Sequence, residues 1–397
     1  MRIVFVIPYF YPALEYGGTP RVAYEIARAL VRRKHFVRVL TTDSNGRNRT
    51  GQAGHSNHSI DQVDGIEVHR YSNLSNYLAF RHRMFVPLAF FRDVRAQLSG
   101  MDVVHIHEFR SFLTVAASSA AWQARVPYIL SPHGGLQHLG KGAAKTVFDM
   151  IWGKKILERA AVVCAVSPIE TKDAIEFGVN ESRIHRFPSA IDLGLFRDLP
   201  RRGLFLNKAG LAGRRIVLFL GRLNWIKGID LLIKAFDQVR NLEDVHLVIA
   251  GPDDGAEGSL RSLVRELSLQ DQVTFAGFMN DTEKIEALVD SGVVVIPSSR
   301  EGFPLTVLEA LACRAMLIVS SACQVGDWLG PDCALKTFQN GNVVALAARL
   351  KEALTLAAPE RLLDQGRSLV LEQFSAEALA ARAEVLYDFA VTPAKAK

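Results

Sequence analysis

The strongest constraint on this chain is a pattern that occurs twice. Short, largely apolar runs rich in β-branched residues are separated by helix-capable stretches. Residues 3–7 form the first run, and runs at 37–42, 103–107, 128–131 and 161–166 follow it. Such runs are expected where a parallel strand is buried on both faces. Strands alternating with helices predict an α/β protein with a doubly wound sheet. Residues 196–215 then lapse into a polar, basic stretch, the expected connection between domains. A second series follows at 216–220, 245–250, 273–276, 293–297 and 315–320. Gly221, Gly251 and Gly277 directly follow its first three runs, where backbone can approach a ligand at strand ends. Two α/β domains facing each other across a cleft are therefore expected, and the break argues against one continuous sheet.

Composition narrows the function classes. At 397 residues there is material for two full cores. The formal net charge of +6 is mild, and no basic stripe interleaved with stacking aromatics marks a nucleic-acid surface. Cys164, Cys313, Cys323 and Cys333 are too sparse for a disulfide framework and contain no CxxC pair, which fits a reducing compartment. No apolar run has the length of a membrane-spanning helix. The N-terminus reads as a first strand, not a cleaved leader, so a cytoplasmic location is expected.

The segment from Glu301 to Glu309, EGFPLTVLE, carries the clearest chemistry. A strand ends in Ser298, Ser299 and Arg300; then Glu301, Gly302 and Phe303 lead to Pro304, expected at the first position of a helix. That helix opens with Leu305 and places Glu309 about one turn inside. A helix N-terminus favours a diphosphate. Two carboxylates beside an anion site would repel phosphate, so they fit better as acceptors from sugar hydroxyls. The pattern points to a ligand with both phosphate and hydroxyls, although two solvated charges around a capped helix would read the same. In the first domain Gly17 and Gly18 precede Thr19, an expected N-cap, and Pro20, an expected first helical residue. His105 and His107 share a strand face, but no Cys or further His follows at ligand spacing, and Glu108 points away if the strand continues. Asp253 and Asp254 likewise make no convincing metal site.

Together these residues resemble the retaining glycosyltransferases of family 4, which have the GT-B fold of two facing Rossmann-like domains. The resemblance spans nearly the whole chain. It rests on Gly17-Gly18, on Ser131-Pro132-His133-Gly134, on Gly221-Arg222-Leu223 with Lys227-Gly228, and on the pair Glu301 and Glu309. The opening residues look especially like transferases that build bacterial surface polysaccharides. The resemblance implies that Arg222 and Lys227 hold the donor diphosphate and stabilise the charge growing on it as the glycosidic bond breaks. It implies that Glu301 contacts hydroxyls of the transferred sugar and Glu309 those of the ribose. Gly302, Phe303, Pro304 and Leu305 would line sugar and phosphates mainly through backbone, while Gly17 and Gly18 would close over the phosphates and acceptor. His133 would lie near the anomeric centre, as a contact and not as a general base, since in a front-face mechanism the leaving phosphate oxygen helps deprotonate the acceptor. No cofactor or metal is implied; the donor would be a UDP- or GDP-sugar and the acceptor a glycan or a polyprenyl-linked glycan. The implied domains are 1–190, completed by a C-terminal helix at about 375–390, and 191–374.

Three stretches depart from the family pattern. Arg314 and Met316 stand where Gly and Pro are usual, Phe187-Pro188-Ser189-Ala190 replaces Pro-Asn-Gly, and Ser321, Ala322, Cys323 and Gln324 replace a glycine-rich loop. A left-handed backbone at Arg314 would cost about 1–2 kcal/mol. These departures keep open a catalytically degenerate partner subunit, and the shared architecture keeps open a sugar-nucleotide epimerase. The segment that opens at Tyr77 and closes at Leu98 is aromatic and basic. Pro87 is expected to break it, with Leu88, Phe91, Val94 and Leu98 on one side of the second helix. Such a helix suits either the protein core or an anionic membrane surface presenting a lipid-linked acceptor.

Overall fold

The structure is a computed structural model and describes residues 1–46, 48–50, 57–136, 142–330, 333–355 and 360–392. The chain divides into two units, Met1–Ala190 with Ala376–Lys397, and Ile191–Ser375. In the first, an eight-stranded sheet is built from β1 (Arg2–Val6), β2 (Phe36–Thr42), β3 (His58–Val63), β4 (Ile66–Tyr71), β5 (Val103–His107), β6 (Tyr128–Ser131), β7 (Val162–Ala165) and β8 (Ile184–Arg186). The strand order is β8-β7-β6-β5-β1-β2-β4-β3. Neighbours are parallel except in the β3–β4 hairpin, which is antiparallel. Ile3, Val4, Phe5 and Val6 are all sealed from solvent, as the apolar run requires. Each such side chain contributes about 1.5–3 kcal/mol by its burial. The hairpin strand β3 escapes a search for apolar runs because it is a half-exposed edge of sequence HSIDQV.

Helix α1 (Gly18–Arg32) follows β1. It starts one residue before the expected Thr19 cap, with Gly17 in the N-cap position at φ 110°. Pro20 is therefore third in the helix and not first. Its missing N–H still costs nothing there, because the first four donors of a helix have no intrahelical partner.

The second unit carries a six-stranded, wholly parallel sheet of β9 (Arg215–Leu220), β10 (Val245–Ala250), β11 (Val273–Gly277), β12 (Ser291–Ile296), β13 (Met316–Ser320) and β14 (Leu335–Phe338). Its order, β11-β10-β9-β12-β13-β14, is that of a dinucleotide-binding sheet, with the direction of winding reversing between β9 and β12. The helices used below are α2 (Ile229–Asp237), α3 (Glu257–Glu266), α4 (Asp281–Asp290), α5 (Leu305–Ala312) and α6 (Glu360–Gln373). The glycines after β9, β10 and β11 lie against one another. Gly221 N–H donates to Ala250 O (3.0 Å) and Gly251 N–H to Gly277 O (2.7 Å). A Cβ on Gly251 would collide with the Gly221 carbonyl. Gly251 is thus required for strand ends to touch, a packing role that the glycine pattern alone does not distinguish from ligand approach.

Arg314 adopts the left-handed backbone in full, at φ 59°. The end of α5 is closed by Ala315 N–H to Ala310 O (2.9 Å) and Arg314 N–H to Leu311 O (3.0 Å), the bonding of a Schellman cap normally completed by glycine. The Arg314 side chain reaches α6, pairing with Glu360 and lying 2.9 Å from Asp364 Oδ1. Met316 is buried and opens β13 in register with Val293.

The last helix, α7 (Ala376–Val391), belongs to the first unit. Arg33 binds Glu384 through two hydrogen bonds of 2.6 and 2.7 Å, and His35 Nε2 lies 2.8 Å from the same carboxylate. At the two ends of the second unit, Ile191 pairs with Ser375 and its N–H donates to Phe374 O (3.0 Å).

Candidate functional site

In open α/β sheets, ligands sit at the carboxyl ends of the strands where the winding reverses. In the second unit that place is flanked by the loop after β9, with Arg222 and Lys227, and the loop after β12, with Glu301 to Leu305. The two loops are stitched together. Ser299 donates to Ile226 O from its N–H (2.8 Å) and its hydroxyl (3.0 Å). Gly228, at φ 64°, lies so close to the Pro297 carbonyl that any Cβ would strike it. The turn Trp225–Lys227 is thereby held with the Lys227 ammonium on the Glu301 carboxylate. Ser298 Oγ donates to the same Glu301 oxygen (3.3 Å).

Arg222 turns toward the loop after β10, where Nη1 donates to Asp254 Oδ2 (2.8 Å) and Asn224 Nδ2 donates to the same oxygen (3.0 Å). Asp253 Oδ1 accepts from the N–H groups of Gly255 (2.9 Å), Ala256 (3.1 Å) and Glu257 (3.0 Å), capping the approach to α3. These backbone donors hold its carboxyl below the usual range, led by the Glu257 N–H. Asp253 and Asp254 therefore serve as a cap and an arginine partner.

Pro304 is the N-cap of α5 and not its first residue, with ψ 127° still extended; Leu305 begins the helix. Gly302 joins Glu301 to Phe303, whose ring stacks on Phe374 with centroids 5.6 Å apart. Glu309 lies in the second turn with its side chain 8 % exposed, and Lys284 of α4 donates to its Oε1 (2.6 Å). Lys284 is the residue sequence reasoning missed here. The available signal was the capping pattern Asn280 to Glu283, which fixes the start of α4 and so the position of Lys284.

The first unit has its own reversal between β1 and β5. Gly17 and Gly18 lie in the loop after β1. A Cβ at Gly17 would meet nothing within 4 Å, so its positive φ, not crowding, calls for glycine. His133 lies beyond β6 in left-handed backbone at φ 53°. Its turn is clamped from both sides. The buried Glu170 accepts from Gly134 N–H (2.6 Å) and Val166 N–H (2.9 Å), while Arg110 donates to the carbonyls of Gly135 and Leu136 and is itself held by Asp149. Burial lifts the Glu170 carboxyl to about 7, with those backbone donors opposing the rise. Glu170 was legible as the fourth residue of the capping sequence Ser167 to Glu170.

The imidazoles of His105, His107 and His133 form a stack, with centroids 4.2 Å apart in the first pair and 5.2 Å in the second. Burial drives His105 down to about 3 and His133 to about 4, so both are neutral at physiological pH. His105 is satisfied by Tyr387 Oη at Nδ1 (2.9 Å) and Ser131 Oγ at Nε2 (2.8 Å). Glu108 leaves β5 in left-handed backbone at φ 73°, and burial pushes its carboxyl up to about 8. It makes no side-chain hydrogen bond among the described residues.

The segment from Tyr77 to Leu98 divides differently from expectation. Helices Asn76–His82 and Leu88–Gln97 flank Pro87, but Phe90, Val94 and Leu98 pack into the core while Leu88 and Phe91 face outward. Phe90, Val94 and Leu98 follow the i, i+4 spacing of one helix face. Among the described residues no helix is long and apolar enough to cross a membrane.

Two Rossmann-like sheets in one chain, each with candidate residues at its reversal point, are the architecture of the GT-B glycosyltransferases. Solved structures agree. Sucrose-phosphate synthase from Thermosynechococcus elongatus superposes with a TM-score of 0.75 at 21 % identity, covering 98 % of both chains. Anabaena HepE in complex with UDP-glucose superposes at 0.76 and 18 % identity, covering 98 % of this chain and 100 % of that one. Residues 16–195 match the profile of Glycosyltransferase Family 4, and residues 205–368 match that of Glycosyl transferases group 1. Among sequence relatives, an uncharacterized glycosyltransferase of Methanocaldococcus jannaschii is 26 % identical over 80 % of each chain. The GDP-mannose:cellobiosyl-diphosphopolyprenol alpha-mannosyltransferase of Xanthomonas oryzae is 25 % identical over 81 % of this chain and 78 % of that one. The chain belongs to glycosyltransferase family 4.

Proposed function

We propose that this glycosyltransferase moves a hexose, with retention of anomeric configuration, from a UDP- or GDP-sugar to a glycan or polyprenyl-linked acceptor in polysaccharide biosynthesis. The observation that carries the reading is the convergence of Arg222, Lys227, Glu301 and the start of α5 on one reversal point. Departure of a nucleoside diphosphate concentrates negative charge on phosphate oxygens, and preorganised cations lower that barrier. Lys227 and Arg222 are held by Glu301 and Asp254, so an arriving diphosphate exchanges one anionic partner for another. That exchange leaves the Glu301 carboxylate to accept from sugar hydroxyls. Glu309, steadied by Lys284, accepts from the ribose. GDP-mannose in the name of the Xanthomonas enzyme and UDP-glucose in the Anabaena complex support the two donor bases.

A lipid-linked acceptor fits an exposed apolar and basic surface on the first unit. Leu74, Tyr77, Met84, Leu88 and Phe91 are exposed there beside Arg92 and Arg95. Apolar anchors beside basic side chains bind anionic lipid surfaces. Co-sedimentation with phosphatidylglycerol vesicles at low salt checks this contact, and no sedimentation with nucleotide binding intact would remove it.

The function itself is tested by thermal-shift titration with UDP, GDP, ADP and TDP, followed by NMR of the product formed from the sugar donor carrying the stabilising base. A diphosphate that stabilises the protein identifies the base, and an axial-to-axial anomeric outcome supports retention. A protein that no diphosphate stabilises, or that returns an altered sugar nucleotide, is not the proposed transferase.

A further inference from the structure

His107 is fully enclosed in the first unit, and its two ring nitrogens are in unlike situations. Nδ1 lies 2.9 Å from His133 Nε2. Nε2 is sealed from solvent with no hydrogen-bond partner among the described residues. One proton must lie between the two rings for the 2.9 Å contact to be a hydrogen bond, and only two neutral arrangements provide it. In the first, His133 Nε2 donates to His107 Nδ1; the His107 proton is then on Nε2, a buried N–H with nothing to receive it. In the second, His107 Nδ1 donates to His133 Nε2, and only a lone pair remains at the sealed position. Orphaned buried N–H groups are rarer in folded proteins than under-used acceptors. Charging His107 would leave the same orphaned N–H and add an enclosed cation, which burial and the neighbouring imidazoles oppose.

We infer that His107 is a positioning residue that locks His133 in its neutral Nδ1–H tautomer, so that the turn after β6 presents an N–H donor to a substrate oxygen. The receiving group is a hydroxyl or phosphate oxygen, in keeping with the proposed transfer, on which this last clause rests. The surroundings fit such a lock. The two rings are near parallel, at 10°. The His133 turn is fixed by Glu170 and Arg110, and Nδ1 of His133 makes no hydrogen bond among the described residues. Burial keeps His133 neutral, with its proton on one nitrogen only. A ring tautomer is set by the bond its other nitrogen makes, and here that bond comes from a second histidine.

Long-range ¹⁵N–¹H NMR of ¹⁵N-histidine-labelled protein at neutral pH tests the lock, with His133 signals assigned by their loss in His133→Gln. The expected result is protonated Nδ1 and unprotonated Nε2 at His133. In His107→Phe that tautomer should be lost, while His107→Gln, whose amide can still donate, should retain it. Protonated Nε2 or an imidazolium at His133 in the wild type overturns the inference, as does an unchanged tautomer in a folded His107→Phe variant. In turnover of the sugar donor, His107→Phe should lower kcat about 10-fold with little change in KM, and His107→Gln should restore most of it. The spectrum is read without substrate. A protein with the predicted tautomer but no transferase activity would therefore sink the functional reading and leave the lock standing.

Discussion

The two reversal points use opposite electrostatics on similar sheets. In the second unit the charged candidates are each held by an opposite charge: Arg222 by Asp254, Lys227 by Glu301, Glu309 by Lys284. In the first unit His133 and the histidine His105 of the same ring stack are kept neutral by burial, and burial lifts the Glu108 carboxyl to about 8. On the proposed reading, the difference suits one scaffold to two tasks. Paired charges can be re-partnered by an incoming diphosphate at little electrostatic cost. Neutral donors and acceptors offer hydroxyls direction without attracting ions.

The largest effect that bears on this contrast is expected from Arg222→Ala with Lys227→Ala. Removing both cations should abolish stabilisation by any nucleoside diphosphate in thermal-shift titration and lower kcat/KM by about 10³-fold or more. Full retention of nucleotide binding would show that the charges of the second unit are structural. Next is Lys284→Met, which leaves the largely enclosed Glu309 without its counter-ion. A loss of about 3 kcal/mol in urea unfolding is expected, in line with breaking a buried pair; a negligible loss would mean that water already satisfies Glu309.

Glu108→Gln examines the neutral side. Its folded pKa of about 8 lies above the usual carboxylate value. Between about pH 4.5 and 8 the unfolded chain is ionised while the folded protein keeps the proton, so stability falls as pH rises through that window. The variant should match wild type near pH 4.5 and exceed it near pH 8 by on the order of 4 kcal/mol. Parallel stability curves for the two proteins would place an ionised carboxylate at this reversal point. The smallest effect concerns Arg314. Arg314→Gly removes the left-handed penalty together with the pairs to Glu360 and Asp364, so stability should stay within about 1 kcal/mol of wild type. Arg314→Ala keeps the penalty and loses the pairs, and should be the less stable of the two by about 1 kcal/mol.

These contrasts mark where sequence reading stops. The apolar runs of both sheets are visible because strands buried on two faces leave no room for polar residues. The half-exposed edge strand His58–Val63 carries no such mark. Arg222, Lys227, Glu301 and Glu309 are legible as residue types placed after particular strands. Their partners are not, since Lys284 reaches Glu309 and Asp254 reaches Arg222 only through the winding of the sheet. The spacing groups Leu88 and Phe91 with Val94 and Leu98, because Pro87 sets a new helical phase that spacing alone does not fix. Arg314 could be flagged as a strained position, but whether the strain is accepted or avoided depends on Glu360 and Asp364, some fifty residues away. The pairing of His107 with His133 joins the end of β5 to the turn after β6 and leaves no local trace.

The return of α7 to the first unit bears on how the protein is made on the ribosome. Residues 1–190 emerge before the second unit, yet the helix that supplies Glu384 to Arg33 and Tyr387 to His105 emerges after it. At roughly 5–20 residues per second, synthesis of the intervening unit takes on the order of 10–40 s. Throughout that interval the face of α1 that meets α7 is exposed and His105 lacks its tyrosine. The later-made half can finish folding before the earlier one, so a pause or truncation near residue 375 would release a completed second sheet tethered to an open first one.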